Sequence, residues 1–165
     1  MTRKLIFGTM LICCMTFASA GWAENAVDIK ELETMAAQGD VEAQSNLGIM
    51  YAQGNGVQQD YAIAIEWFEK AAAQGYAKAQ NGLGQMYRNG YGVKQDYATA
   101  KEWYEKAAEQ GYASAQNNLG LMYANGEGME KNLSTALKWH GKACDNGDMD
   151  GCRAAARLLS QGVKE

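Results

Sequence analysis

The apolar positions of this chain fall at helical spacing and return unchanged at a fixed shift of 36 residues. Between Val41 and Gln53 the residues Ala43, Leu47, Gly48 and Tyr51 share one face, because steps of four, one and three fit a helix and not a strand. The same face recurs as Ala79, Leu83, Gly84 and Tyr87, then as Ala115, Leu119, Gly120 and Tyr123. A second apolar pattern follows each copy. Tyr61, Ala64, Trp67, Phe68 and Ala71 define its buried face in the first copy, where rings alternate with alanines that leave room for them. The pattern predicts two helices per unit, with units at 40–75, 76–111 and 112–147. A period in this range marks a stack of small units, each completing its core against its neighbours.

The punctuation agrees with the periodicity. Asp60, Asp96 and Asn132 stand where a second helix needs an N-cap acceptor, and Gly75, Gly111 and Gly147 stand where its end needs a left-handed residue. The links Gly54-x-Gly56, Gly90-x-Gly92 and Gly126-x-Gly128 put the first glycine just past the first helix. Glycine inside a helix costs about 1 kcal/mol relative to alanine, so its threefold retention at 48, 84 and 120 predicts close backbone packing against a neighbouring helix. Lys70, Lys106 and Lys142 lie at the helix end that favours a cation. Residues 28–38, with Ile29, Leu32, Met35 and Ala36 at helical spacing, form a lone second helix as an N-terminal cap. A last first helix, Met149–Ser160, closes the stack within 148–165. The fold expected is an all-α, right-handed αα solenoid of eight helices.

Residues 1–20 change where this chain is expected to act. Arg3 and Lys4 precede an apolar run over 5–17, and Ala18-Ser19-Ala20 supplies a small-residue cleavage site. The run is too short for the ~20 residues of a spanning helix. The expectation is export, with cleavage after Ala20, or after Ala23 as the weaker alternative. A lipid anchor at Cys13 or Cys14 is disfavoured because bulky residues precede both. The mature chain is then periplasmic or secreted, with 21–39 as linker and capping helix. Without Arg3 and Lys4, 13 Lys and Arg face 19 Asp and Glu, and such acidity argues against nucleic-acid binding. Cys144 and Cys152 remain, and an even pair in an exported chain reads as a disulfide.

Candidate chemistry is sparse. His140 is the one histidine and occupies the ring position of Phe68 and Tyr104, which makes it a packing residue. Ser-x-x-Lys is absent; Thr135-Ala136-Leu137-Lys138 is the nearest approach and has no companion motif. The Gly-x-Gly links join helix to helix, whereas a phosphate cradle follows a strand and adds a third glycine. Two cysteines and one histidine are too few soft ligands for a metal site. No cofactor, metal or catalytic residue is assigned, and the chain reads as non-enzymatic.

The run Ala43-Gln44-x-x-Leu47-Gly48-x-x-Tyr51-x-x-Gly54-x-Gly56-Val57-x-x-Asp60-Tyr61-x-x-Ala64-x-x-Trp67-Phe68-x-Lys70-Ala71-Ala72-x-Gln74-Gly75 resembles the Sel1-like repeat of the tetratricopeptide-like superfamily. The resemblance covers 28–162. At the last unit the chain is similar to exported bacterial members with cysteine-bridged repeats, since the seven residues between Cys144 and Cys152 match their spacing. It carries one such pair where those members carry many. The resemblance implies protein interaction, often in the bacterial envelope or in host contact. In the superfamily the first-helix stripe that varies between repeats lines a concave groove. Here that stripe gives Ser45 and Ile49; Asn81, Gln85 and Arg88; Asn117 and Leu121; then Arg153 and Arg157. The expected partner is a peptide or protein segment bound there by a monomeric, membrane-free chain. The alternative is a cell-envelope enzyme acting on β-lactams or peptidoglycan, as has been suggested for cysteine-rich relatives.

Overall fold

The computed structural model describes residues 29–164, so the signal segment and the cleavage site lie outside the described residues. These residues form eight helices and no strand: α1 (Ile29–Ala37), α2 (Val41–Gln53), α3 (Tyr61–Ala73), α4 (Ala77–Asn89), α5 (Tyr97–Glu109), α6 (Ala113–Asn125), α7 (Leu133–Asp145) and α8 (Met149–Ser160). Each helix packs on the next in order, which is the αα solenoid read from the period. Contacts between alternate helices are made by α2 with α4 and by α6 with α8. The first helices therefore form the closer-spaced inner row, and the second helices the outer one.

Local chemistry accounts for where the helices start and stop. The Asp60, Asp96 and Asn132 side chains accept backbone N–H bonds from the first turns of α3, α5 and α7. Gly54, Gly90 and Gly126 cap the first helices at φ of 70° to 74°, and Gly75, Gly111 and Gly147 follow the second helices at φ of 81° to 91°. Both sets are left-handed, as expected.

The interior repeats as small clusters along the stack. Ala64, Ala71, Ala100, Ala107, Ala136 and Ala143 are fully buried, and so are Leu47, Leu83 and Leu119. A methyl placed on Gly48 would come within 2.6 Å of the Phe68 ring, one on Gly84 within 2.5 Å of Tyr104, and one on Gly120 within 2.7 Å of His140. The three glycines thus admit an aromatic ring from the paired second helix, where the sequence had suggested the approach of a backbone. Tyr61 and Trp67 are only half-buried, unlike the alanines of their face. Tyr61 stacks on Tyr91 with centroids 4.9 Å apart, and Lys70, Lys106 and Lys142 lie 3.9 to 4.3 Å over the rings of Trp67, Trp103 and Trp139. These lysines therefore shield an outer-row tryptophan as well as facing a helix C-terminus.

Candidate functional site

The inner row carries the residues expected to bind, and the structure separates those that are free from those already engaged. Ser45 is fully buried, and its hydroxyl has no hydrogen-bond partner, so it does not line a groove. Asn81 is also buried, with its Oδ1 accepting from Asn118 Nδ2 at 3.0 Å. The same repeat position is engaged in the third unit as well, there by the ring of the following second helix. Asn117 makes the point directly, for its Oδ1 lies 2.7 Å from His140 Nδ1.

Arg88 is likewise occupied. Its Nε and Nη2 donate to the two carboxylate oxygens of Glu127 at 2.7 and 3.0 Å, a bidentate pair joining α4 to the turn after α6. Asn125 Nδ2 donates to the same carboxylate at 2.9 Å. The pair raises the guanidinium pKa and holds the Glu127 carboxyl below its usual range, in each case mainly through this hydrogen bond. Beside it the Tyr104 hydroxyl is buried outside hydrogen-bonding geometry, and burial pushes its pKa up. Lys78 Nζ donates to Asn46 Oδ1 at 3.1 Å, a third tie between first helices.

Of the residues expected to bind, those at one repeat position form a stripe that stays open: Ile49 and Leu121 half-buried, Gln85 and Arg157 exposed. Arg153 is exposed next to it and pairs with Asp150 one turn back. Glu127, Asn118 and Asn46 are the inner-row residues that the sequence reading missed. Each acts across a repeat boundary, 32 to 39 residues from its partner.

A separate polar ladder runs along the ends of the helices. Gln74, Gln110 and Asn146 donate to Gln44, Gln80 and Gln116 at 2.8 to 2.9 Å. Gln44 and Gln116 in turn donate to the Ala36 and Ala108 carbonyls at 3.0 and 3.1 Å. One period further on, the same two positions hold Cys144 and Cys152, which form a disulfide with Cα atoms 4.5 Å apart. The predicted bond is present, and it stands where a side-chain-to-carbonyl hydrogen bond stands elsewhere.

The residues weighed for catalysis are not assembled. His140 is 1% exposed and seated on Gly120, and burial lowers its pKa. Thr135 and Lys138 line a shallow outer-row depression of about 440 Å³ with Trp139, Lys142 and Asp145, and His140 is not among its walls. Among the described residues no group of three or more His, Cys, Asp and Glu is placed to hold a metal ion. None of their helices is long and apolar enough to cross a membrane.

Comparison with known proteins adds the lineage. The Sel1 repeat profile matches residues 41–76, 77–112 and 113–148. Among solved structures, a protective antigen present in uropathogenic Escherichia coli strains and displaying an SLR fold is similar at 40% identity and a TM-score of 0.77, over 82% of this chain and 29% of that one. A Sel1 repeat protein from Oxalobacter formigenes is similar at 34% identity and a TM-score of 0.77, over 81% of this chain and 55% of that one. Helicobacter pylori cysteine rich protein B is similar at 26% identity and a TM-score of 0.61, over 77% of this chain and 96% of that one. The chain thus spans only part of the length of the first two. No curated protein matches it. With three profile matches in register and neighbours of the same architecture, the chain belongs to the Sel1 repeat family, whose members are generally protein-interaction scaffolds.

Proposed function

We propose that this protein is an exported, non-enzymatic adaptor that holds an extended peptide or protein segment along its inner row. One observation carries the reading. After the ties between repeats are subtracted, the stripe of Ile49, Gln85, Leu121 and Arg157 stays accessible at one position of successive first helices. Two apolar side chains flanking an amide, followed by an unengaged guanidinium, suit a segment with apolar residues and a carboxylate near one end. Export rests on the basic start, apolar run and small-residue site of 1–20, and an oxidised cysteine pair agrees with that compartment. The acidic mature chain leaves nucleic acid an unsuitable partner.

Capture from envelope extract tests the reading. The wild-type chain is expected to retain a partner that Leu121→Glu and Arg157→Glu each lose, with helical content unchanged by circular dichroism. Undiminished capture by both variants would reject this stripe. Turnover of nitrocefin or of a muropeptide by the pure chain, abolished by Thr135→Ala or His140→Ala, would instead favour an enzyme.

A further inference from the structure

We propose that the outer face of α7 holds a site for an acidic saccharide, a pyranose carrying one carboxylate, built where the third unit departs from the other two. Glu66 and Glu69 flank Trp67, and Glu102 and Glu105 flank Trp103. At the same positions beside Trp139 stand Lys138 and Gly141. Each unit also has its lysine at 70, 106 or 142, so the third indole lies between two cations where the others have two anions and one cation. In a chain with more acidic than basic residues this is a local reversal of charge. Lys138, Trp139, Gly141 and Lys142 line the outer-row depression of about 440 Å³, together with Thr135 and Asp145. Gly141 has no packing reason to be glycine. Gly48, Gly84 and Gly120 each admit a ring, whereas a methyl on Gly141 would meet nothing within 4 Å. Glycine weakens a helix interior, so its presence is unfavourable to α7 and serves to leave the floor of the depression open.

The lining sets the chemistry of the ligand. Lys138 is exposed and forms no ion pair among the described residues, while Lys142 lies 4.3 Å over the Trp139 ring. Two ammonium groups one helical turn apart suit a single carboxylate. Trp139 is half-buried, and the open part of its indole suits the C–H face of a sugar ring. Asp145 lies about 10 Å along the axis from Lys138 and accepts hydrogen bonds, whereas the Thr135 hydroxyl both donates and accepts. Sugar hydroxyls satisfy both of these side chains. A ligand with a second anionic group would meet Asp145 with like charge, and an apolar acid would leave that carboxylate without a donor. The site is on the outer row and does not depend on the reading of the inner one.

The test is a magnetic-resonance titration of the isotope-labelled full chain with sodium D-glucuronate at constant ionic strength. It is read from the indole N–H signals, each assigned by replacing its tryptophan with phenylalanine. A shallow site and a ligand of about a dozen heavy atoms give a Kd on the order of 1 mM. The Trp139 signal is expected to shift along a saturating curve while those of Trp67 and Trp103 stay in place. D-Glucose, which lacks the carboxylate, and acetate, which lacks the ring, are each expected to bind at least about 10-fold more weakly. Lys138→Glu combined with Gly141→Glu, which gives the third unit the residues of positions 102 and 105, is expected to abolish the shift. No shift at Trp139, equal shifts at all three indoles, equal binding of acetate or glucose, or an undiminished shift in the double variant each overturns the proposal. If the double variant melts below the wild type, Lys138→Gln replaces it with an expected loss of about 3-fold in affinity, and unchanged affinity overturns the proposal in the same way.

Discussion

Replacing Cys144 by Ala together with Cys152 by Gln would give the last unit the residues found at 108 and 116, and it measures what the disulfide contributes beyond the tie it supplants. The cysteines are separated by 8 in sequence. Cross-linking so short a loop stabilises by about 2.5 kcal/mol in the chain-entropy picture. An introduced glutamine that donates to the carbonyl of residue 144, as Gln116 does to Ala108, returns about 1 kcal/mol. The Ala/Gln variant should therefore lose about 1.5 kcal/mol, against about 2.5 kcal/mol for Cys144→Ala with Cys152→Ala. The loss should be local, since α8 packs on α7 and α6. Hydrogen exchange by mass spectrometry should show protection over Met149–Ser160 falling about 10-fold for Ala/Gln and about 70-fold for Ala/Ala. Peptides from α2 to α6 should hardly change. Equal effects of the two variants would refute the equivalence of disulfide and glutamine tie, and a uniform loss along the chain would refute the local role.

Three further outcomes follow from the packing and the charges. Gly84→Ala would press a methyl to 2.5 Å from the Tyr104 ring and should cost about 2 to 3 kcal/mol in a thermal melt, whereas Gly141→Ala, in the same kind of backbone with nothing within 4 Å, should gain about 0.5 to 1 kcal/mol. Burial keeps the His140 pKa below 6.5, so the unfolded chain takes up a proton that the folded chain refuses. Stability should then fall as pH drops below about 6.5 and level off beneath the folded pKa; His140→Phe should flatten this slope in urea titrations between about pH 7 and 5. Arg88 holds the Glu127 pKa below 4.5, so the pair stabilises above that pH and its contribution is lost as pH falls through the lowered value. Glu127→Gln should cost about 1 kcal/mol at neutral pH, and Arg88→Gln in the same chain should add little, a coupling that a double-mutant cycle reads directly.

The helices were legible because every signal for them lies within a turn or two: the i, i+4 faces, the caps at Asp60 and Asp96, the glycines at 54 and 90. The disulfide was legible for the same reason, since its two cysteines flank one tight turn. The inner row was legible only in part. Variation between repeats marks both solvent-facing positions and positions whose partners vary with them, and comparing a chain with itself cannot separate the two. Asn117 differs from Ser45 because it meets a histidine where Ser45's unit has a phenylalanine. Arg88 looked free because its carboxylate lies in the next unit, at Glu127, where the first unit has Asn55 and the second Tyr91. The lysines over the tryptophans, three residues apart on one helix, were within reach of the sequence and were read for their charge alone.

The glycines at 48, 84 and 120 are one socket made three times, into which three different plugs are fitted: a benzene ring, a phenol and an imidazole. Because the socket fixes how closely the two helices approach, the plug can change its chemistry without changing the pitch of the stack. Its tip lies on the seam between inner helices, inert at Phe68, a buried hydroxyl at Tyr104, and an amide-linked nitrogen at His140. A repeat of this design can therefore diversify from beneath its surface, altering which inner-row amides are tied down and which are released, while its outline stays the same.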